Sequence, residues 1–454
     1  MPNDVRHRAC LNFAAGCLAG AFVAIAAAPV LADEQFAPTT IVQLPDTQIL
    51  SAFDISFVEN GTHIFALAAS RVVGSGGPFG TVIIVNTRKN LVTKELQASP
   101  AFVGDCSIPP ARDTISGPNG VIVIEKAGNT DVWAADGPVS NPRCTTLDPT
   151  AKTGLVTPSS VKVLDLRTGA TKKVIPTGTG LGTKTPGIRR ADELCYNPVS
   201  DVVLVANDDP VDNFITFIGE DSLKVLDRIR FDGTDPKGDN ILANGIEQCA
   251  FNPRDGKFYL NIPMTGPATA TTPSDGVVVR ISERAPFHVE KVFPISSQAT
   301  GCFGPQGMAI GPDRQIGLGC GGTNSLIIDD RDGSTIKIVT GEGGTDEAWY
   351  DSGNNHYFFA RSTAGKLGVE DAGPPPGADT DAGTAVGSHS VAADAHRNQV
   401  YVPIRGNNGT VPPSTTGKIC STAKDVFGNA GSDALGCIAV YTAPRDKDDR
   451  RAEH

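Results

Sequence analysis

Five stretches of this chain repeat one pattern: a short apolar strand, a polar turn containing Asn, Asp, Gly or Pro, and a second strand rich in Val, Tyr, Phe and Ile. They are "RADELCYNPVSDVVLVAND" from Arg190, "NGIEQCAFNPRDGKFYLNI" from Asn244, "GPQGMAIGPDRQIGLGC" from Gly304, "GTDEAWYDSGNNHYFFA" from Gly344 and "GSHSVAADAHRNQVYVPI" from Gly387. Two earlier stretches, "SAFDISFVENGTHIFALA" and "GPNGVIVIEKAGNTDVWAA", join the set and make seven. A hairpin repeated at intervals of a few tens of residues constrains the fold more than any other feature, because one such unit cannot bury its apolar face alone.

Most hairpins are followed by a second pair of β-rich runs around a polar turn, as in "GTVIIVNTRKNLVTKEL", "SSVKVLDLRTGATKKVI" and "SLIIDDRDGSTIKIV". Four antiparallel strands per unit, seven units in all, predict an all-β, seven-bladed β-propeller. The last unit has "GCIAVYTAP" as its third strand and no evident fourth, whereas "FAPTTIVQLPD" near the N-terminus is a lone strand of the fourth kind. Thr39 to Leu44 is therefore expected to complete blade seven and close the ring, removing two exposed sheet edges. In blade six, residues 366–371 leave room for one strand. The Pro/Gly/Asp-rich segment after it, with Asp379, Asp381 and Gly383, is expected to be a mobile loop rather than an outer strand.

The units resemble those of YVTN-type seven-bladed propellers, a broad group that includes lactonase-like proteins. The blade starts "GPNGV" (117–121) and "GPQGM" (304–308) are similar to those of gluconolactonase, strictosidine-synthase and streptogramin-lyase propellers. The resemblance implies the fold over nearly the whole chain. For function it implies hydrolysis or elimination in an axial pocket, although that family's metal ligands do not match here blade for blade, and one architecture hosts many chemistries.

The N-terminus carries Arg6 and Arg8, an Ala-rich apolar run and Val30-Leu31-Ala32. It reads as a signal peptide spanning residues 1–32, cleaved after Ala32, since the uninterrupted apolar run falls short of the ~20 residues a membrane span needs. The propeller then covers 33–443, and the charged end 444–454 is expected to be a disordered tail. Eight cysteines follow the cleavage point, an even number that fits disulfides in the periplasm or outside the cell. Nearest-neighbour order pairs Cys106 with Cys144, Cys302 with Cys320 and Cys420 with Cys437. Cys195 and Cys249, at equivalent points of successive repeats, are left to face each other. The charge of −11, with no basic stripe, argues against nucleic acid and anionic membrane as partners. A small-molecule ligand and a monomer without stable membrane insertion are expected.

In a propeller the innermost strands all start at one face, so their first residues converge on the axis. Aligning the hairpins on their turns gives one polar residue per blade: Asp54, Asn119, Asp192, Glu247, Gln306, Asp346 and His389. The next position adds Glu193, Gln248 and Glu347. Crowded carboxylates raise one another's pKa or recruit a cation. Oxygen donors suit Ca or Mg, with Mn or Zn tolerated beside one histidine. Asp54, Asp192, Glu247 and Asp346 are the candidate metal ligands, and His389 with Glu247 the candidate acid or base. Asn119 and Gln306 are candidate substrate contacts. The second strand of each hairpin returns to this face and ends at Arg71, Asp136, Asn207, Asp208, Asn261, Arg361 and Arg405. Its three arginines would orient an anionic or carbonyl-bearing substrate, or simply neutralise the ring. The alternative for the whole ring is a polar channel that holds water. His63, His288, His356 and His396 are expected at the surface.

No nucleophile elbow, HExxH or Walker loop occurs. Two functional classes follow: an exported propeller performing metal-assisted hydrolysis or elimination on a small oxygenated molecule, and a non-catalytic periplasmic or cell-surface binding propeller. A haem- or quinone-dependent oxidoreductase is a third and weaker reading, with Trp133 and Trp349 as the only tryptophans available for stacking.

Overall fold

The computed structural model describes residues 38–45, 47–72, 78–102, 117–137, 159–178, 190–208, 213–267, 275–378, 381–406 and 418–442. Residues 1–32, read above as a signal peptide, residues 444–454, read as a tail, Cys106, Cys144 and Asp379 lie outside them.

Seven antiparallel sheets follow one another along the chain, as the repeats predict. Their innermost strands are Ile49–Glu59, Val121–Lys126, Arg190–Asn197, Cys249–Asn252, Pro305–Ile310, Thr345–Asp351 and Ala392–Asp394. These define blades 1 to 7. Blade 7 combines both ends of the chain: Pro38–Gln43 pairs with Gly436–Thr442, which pairs with Gln399–Arg405. Ile41 faces Ala439 and Val42 faces Ile438 in that ladder, and all four are buried.

The strand sequences follow from where each strand stands. Second and third strands are covered on both faces by neighbouring blades and read as continuous apolar runs; Val202–Asp208 is buried at every position but its last. Fourth strands lie at the rim and are less buried, as in Lys224–Arg230, where Lys224 and Leu226 are exposed and Ile229 is buried. The cores lie between blades. Val42, Leu50, Phe65, Leu67 and Ile83 pack with Tyr401, Ile438 and Val440 across the seam of blades 7 and 1. Each such fully buried side chain contributes about 1.5–3 kcal/mol, so the seam that joins the two chain ends is as well packed as the others.

Three of the expected disulfides form: Cys195–Cys249, Cys302–Cys320 and Cys420–Cys437. Two expectations are corrected. Blade 6 has an outer strand in two pieces, Gly377–Ala378 and Ala382–Gly383, each paired with Lys366–Asp371; the prolines before the first piece cannot donate to a ladder, which keeps it short. His356 is buried rather than superficial, because it opens the second strand of blade 6 and its Nδ1 hydrogen-bonds the Asn354 carbonyl at 2.6 Å.

Candidate functional site

Consecutive residues on the innermost strands form successive layers along the axis. The first layer contains Asp54, Asn119, Asp192, Glu247, Gln306, Asp346 and His389, and its members link each blade to the next. Blade 1 donates from Ile55 N to the Asn119 carbonyl at 3.2 Å. Asn119 in turn donates from Nδ2 to the Ala191 carbonyl of blade 3 at 3.0 Å. Blades 3 and 4 are joined by Cys195–Cys249 and by Ile246 N donating to Asp208 at 3.2 Å. Gln248 N reaches the Gln306 carbonyl at 3.2 Å, and Gln306 Nε2 donates to Asp346 Oδ1 at 3.2 Å. Glu347 N donates to the His389 carbonyl at 3.3 Å, and His389 Nε2 stands 3.7 Å from Asp54 Oδ1. The links therefore run unbroken from blade 1 back to blade 1.

The glycines of "GPNGV" and "GPQGM" permit this closeness. A Cβ on Gly120 would lie 1.9 Å from the Asp192 carbonyl oxygen, and one on Gly307 would lie 2.6 Å from Ala348 N. Only a residue without a side chain lets neighbouring innermost strands approach so far.

The charge at the centre belongs to Arg190. It is the first residue of its strand and shares a face with Asp192. Its guanidinium pairs with Asp192 and stands 3.8 Å from both Asp54 of blade 1 and Asp208 of blade 3. Burial alone would lower its pKa; Asp192, Asp54, Asp208 and Glu247 outweigh that and hold it above the ordinary range. Arg190 is not one of the seven ring positions; it lies two residues before Asp192 on the same strand. The alternation of side chains along a strand was the signal that would have found it.

Asp54 and His389 stabilise each other's charged forms. Burial opposes ionisation of Asp54, but His389, Arg190 and Arg405 hold its carboxyl below the usual range. Burial likewise opposes the imidazolium of His389, yet Asp54 and Asp346 hold its pKa up. The imidazole also hydrogen-bonds the Gly387 carbonyl through Nδ1 at 2.9 Å and stacks on Phe53 with centroids 4.7 Å apart. Burial pushes Asp192, Glu247 and Asp346 upward, reinforced by neighbouring carboxylates and opposed by Arg190. The layer thus balances its charge in two ways, with its own cations and by retaining protons.

The three arginines read at strand ends go to different places. Arg405 stands at the ring, over the Phe53 face at 5.4 Å. Arg71 is buried in blade 1 and donates to Glu95 and to the carbonyls of Pro45 and Gln48. Arg361 pairs within blade 6 with Glu342 at 3.1 Å and Asp381 at 2.7 Å. Asp136 pairs with Lys162 at 2.7 Å, Asn207 with Thr177 and Thr216, and Asn261 with the carbonyls of Gln306 and Gly307. Among the described residues, no three His, Cys, Asp or Glu side chains converge as a metal-ligand set, and Arg190 stands among the carboxylates where a cation would have to sit.

The second layer, Glu193, Gln248 and Glu347 with Ser56 and Ser390, is more deeply buried. Beyond it, away from the ring, lies an axial cavity of about 420 Å³.

No family model matches this chain, and no curated protein matches it. Solved structures share its fold: a chain of the mitotic checkpoint complex (10% identity, TM-score 0.52, covering 96% of this chain and all of that one), the RRP9 WD40 repeats (8%, 0.55, 90% and all) and U3-55K (9%, 0.55, 89% and all). The neighbours are WD40-type propellers, so the YVTN and lactonase resemblance holds at the level of the seven-bladed fold.

Proposed function

We propose that this chain is a non-catalytic binding propeller in which the polar axial ring holds the blades together and ligands engage surfaces other than that ring. The observation that carries this reading is Arg190: its guanidinium supplies the positive charge to the carboxylates that a metal site would otherwise use. The links from blade 1 around to blade 1 engage every ring residue except Asp192, which pairs with Arg190 of its own strand, and Glu247. Similarity to WD40-type propellers, among them a chain of the mitotic checkpoint complex, supports a binding role by analogy of fold. The three disulfides support a place in the periplasm or outside the cell.

A second reading is favoured by one feature, the presence of four carboxyl groups, Asp54, Asp192, Glu247 and Asp346, in one layer at one end of the axis. In it they hold Ca or Mg, with His389 as acid or base for hydrolysis or elimination on a small oxygenated molecule. Calorimetric unfolding with and without millimolar Ca²⁺ or Mg²⁺ separates the two. A ligand that binds only the folded state raises its stability by RT ln(1 + [L]/Kd). The binding-propeller reading predicts no shift in Tm. A shift abolished by Asp192→Ala would replace it with the metal reading.

A further inference from the structure

The axial cavity combines an apolar tube with carboxyl groups at its closed end. Its lining begins at Ser56, Glu193, Gln248 and Glu347, each immediately past the ring layer, and continues through Val121, Val123, Leu194 and Met308. One to three residues further along the same strands come Phe57, Tyr196, Phe251, Trp349 and Tyr350, all partly exposed. At about 3.3 Å per residue, these aromatics form the mouth and the carboxyl groups lie some two layers below it. Phe57 and Trp349 meet edge to face at 5.7 Å across the mouth.

The carboxyl groups are not used up by the protein. Glu347 accepts from Ser390 Oγ at 2.5 Å and Val391 N at 2.9 Å through Oε2, and the Ser56 backbone also favours its charged form; Oε1 is buried with no well-formed hydrogen bond among the described residues. Glu193 is 6% exposed, and the charges that act on it most strongly, Asp192, Glu347, Asp54 and Glu247, are all negative. Arg190 pairs with Asp192 in the ring layer. An unfilled acceptor in a dry site costs about 1–3 kcal/mol, and a donor or cation that fills it recovers that cost.

We propose that the axial cavity binds a small molecule with an apolar, preferably aromatic, body and a protonated amine, the ammonium seated between Glu193 and Glu347 and the body between the mouth aromatics. The size suits this class, since small-molecule sites are mostly apolar clefts of about 300–1,000 Å³ with a few placed polar groups. The ammonium brings the counter-charge that the pair lacks, and Trp349 offers a π-face to a cation entering the tube. An anion of the same shape would bring no counter-charge to the closed end and would leave both carboxyl groups holding their protons. This inference names a ligand class for the binding reading above. Its failure would leave that reading standing, because the ring is tested separately by its response to metal.

The test is isothermal titration of the folded, disulfide-bonded chain with 4-phenylbutylamine, its neutral isostere 4-phenylbutan-1-ol and its anionic isostere 4-phenylbutanoate. The amine is expected to bind at least about tenfold more tightly than the alcohol, and the carboxylate not to bind. Glu193→Gln should weaken the amine by about tenfold or more and leave the alcohol unchanged. Glu193 holds no side-chain hydrogen bond among the described residues, so this variant is expected to fold even if Glu347→Gln does not. Equal affinity for amine and alcohol, binding of the carboxylate, an amine affinity unchanged by Glu193→Gln, or no amine binding at about 10 mM would each overturn the proposal.

Discussion

Arg190 and Asp192, two residues apart on one face of the innermost strand of blade 3, form an ion pair from which the guanidinium reaches on to Asp54 of blade 1, 3.8 Å away. One side chain thereby links blades that are not neighbours, across the axis of the propeller. Arg190→Met should destabilise the fold by about 3–5 kcal/mol, the cost of leaving a buried charge uncompensated, read as a lower midpoint in urea unfolding. Removing the paired charge as well, in Arg190→Met with Asp192→Asn, should recover part of that loss.

His389→Ala should cost more stability in acid than in base. The folded-state pKa of His389 is raised above 6.5 by Asp54 and Asp346 against the effect of burial. Its contribution is therefore fully present below pH 6.5 and lost as pH climbs through the folded value. Urea midpoints of wild type and variant should differ clearly at pH 5.5 and converge at high pH.

Glu193 and Glu347 set a second pH dependence. Burial raises both well above 4.5, with like charges adding to it for Glu193. The folded state keeps protons that the unfolded chain releases, so stability falls as pH rises from about 4.5, by up to about 1.4 kcal/mol per pH unit for each group. Glu193→Gln, which cannot ionise, should show a shallower decline between pH 5 and 8 than wild type.

The closing strand should be worth as much as a core element. Ile41 is fully buried in the core shared with Phe358, Leu367 and Val402, and Ile41→Ala should cost about 2–5 kcal/mol. Thr39→Ala, at an exposed position of the same strand, should change stability by less than about 0.5 kcal/mol. Thermal or urea unfolding of the two variants side by side checks the contrast.

The blades were legible because turn chemistry and alternation are local. Asn-Pro, Asp-Gly and Asn-Gly pairs mark the hairpins, and an orphan strand at one end matches a missing one at the other. The ring positions were legible for the same reason, since equivalent positions on innermost strands must converge. What Arg71 and Arg361 do was not legible, because their partners come from elsewhere, Glu95 from another strand and Glu342 from the connection between blades 5 and 6, at distances no single-strand pattern reveals. Glu193, Gln248 and Glu347 were visible as neighbours of the ring. Their position at the closed end of a cavity depends on how far apart seven blades stand, which is set by packing, and in part by Gly120 and Gly307.

Elemental analysis of the chain, purified from an oxidising compartment without chelator and compared with the Asp192→Ala, Glu247→Ala double variant, tests the self-neutralised ring most directly. The account predicts no stoichiometric Ca, Mg, Mn or Zn in either protein. One equivalent of metal in the wild type that disappears in the double variant would contradict it and make the ring a metal centre.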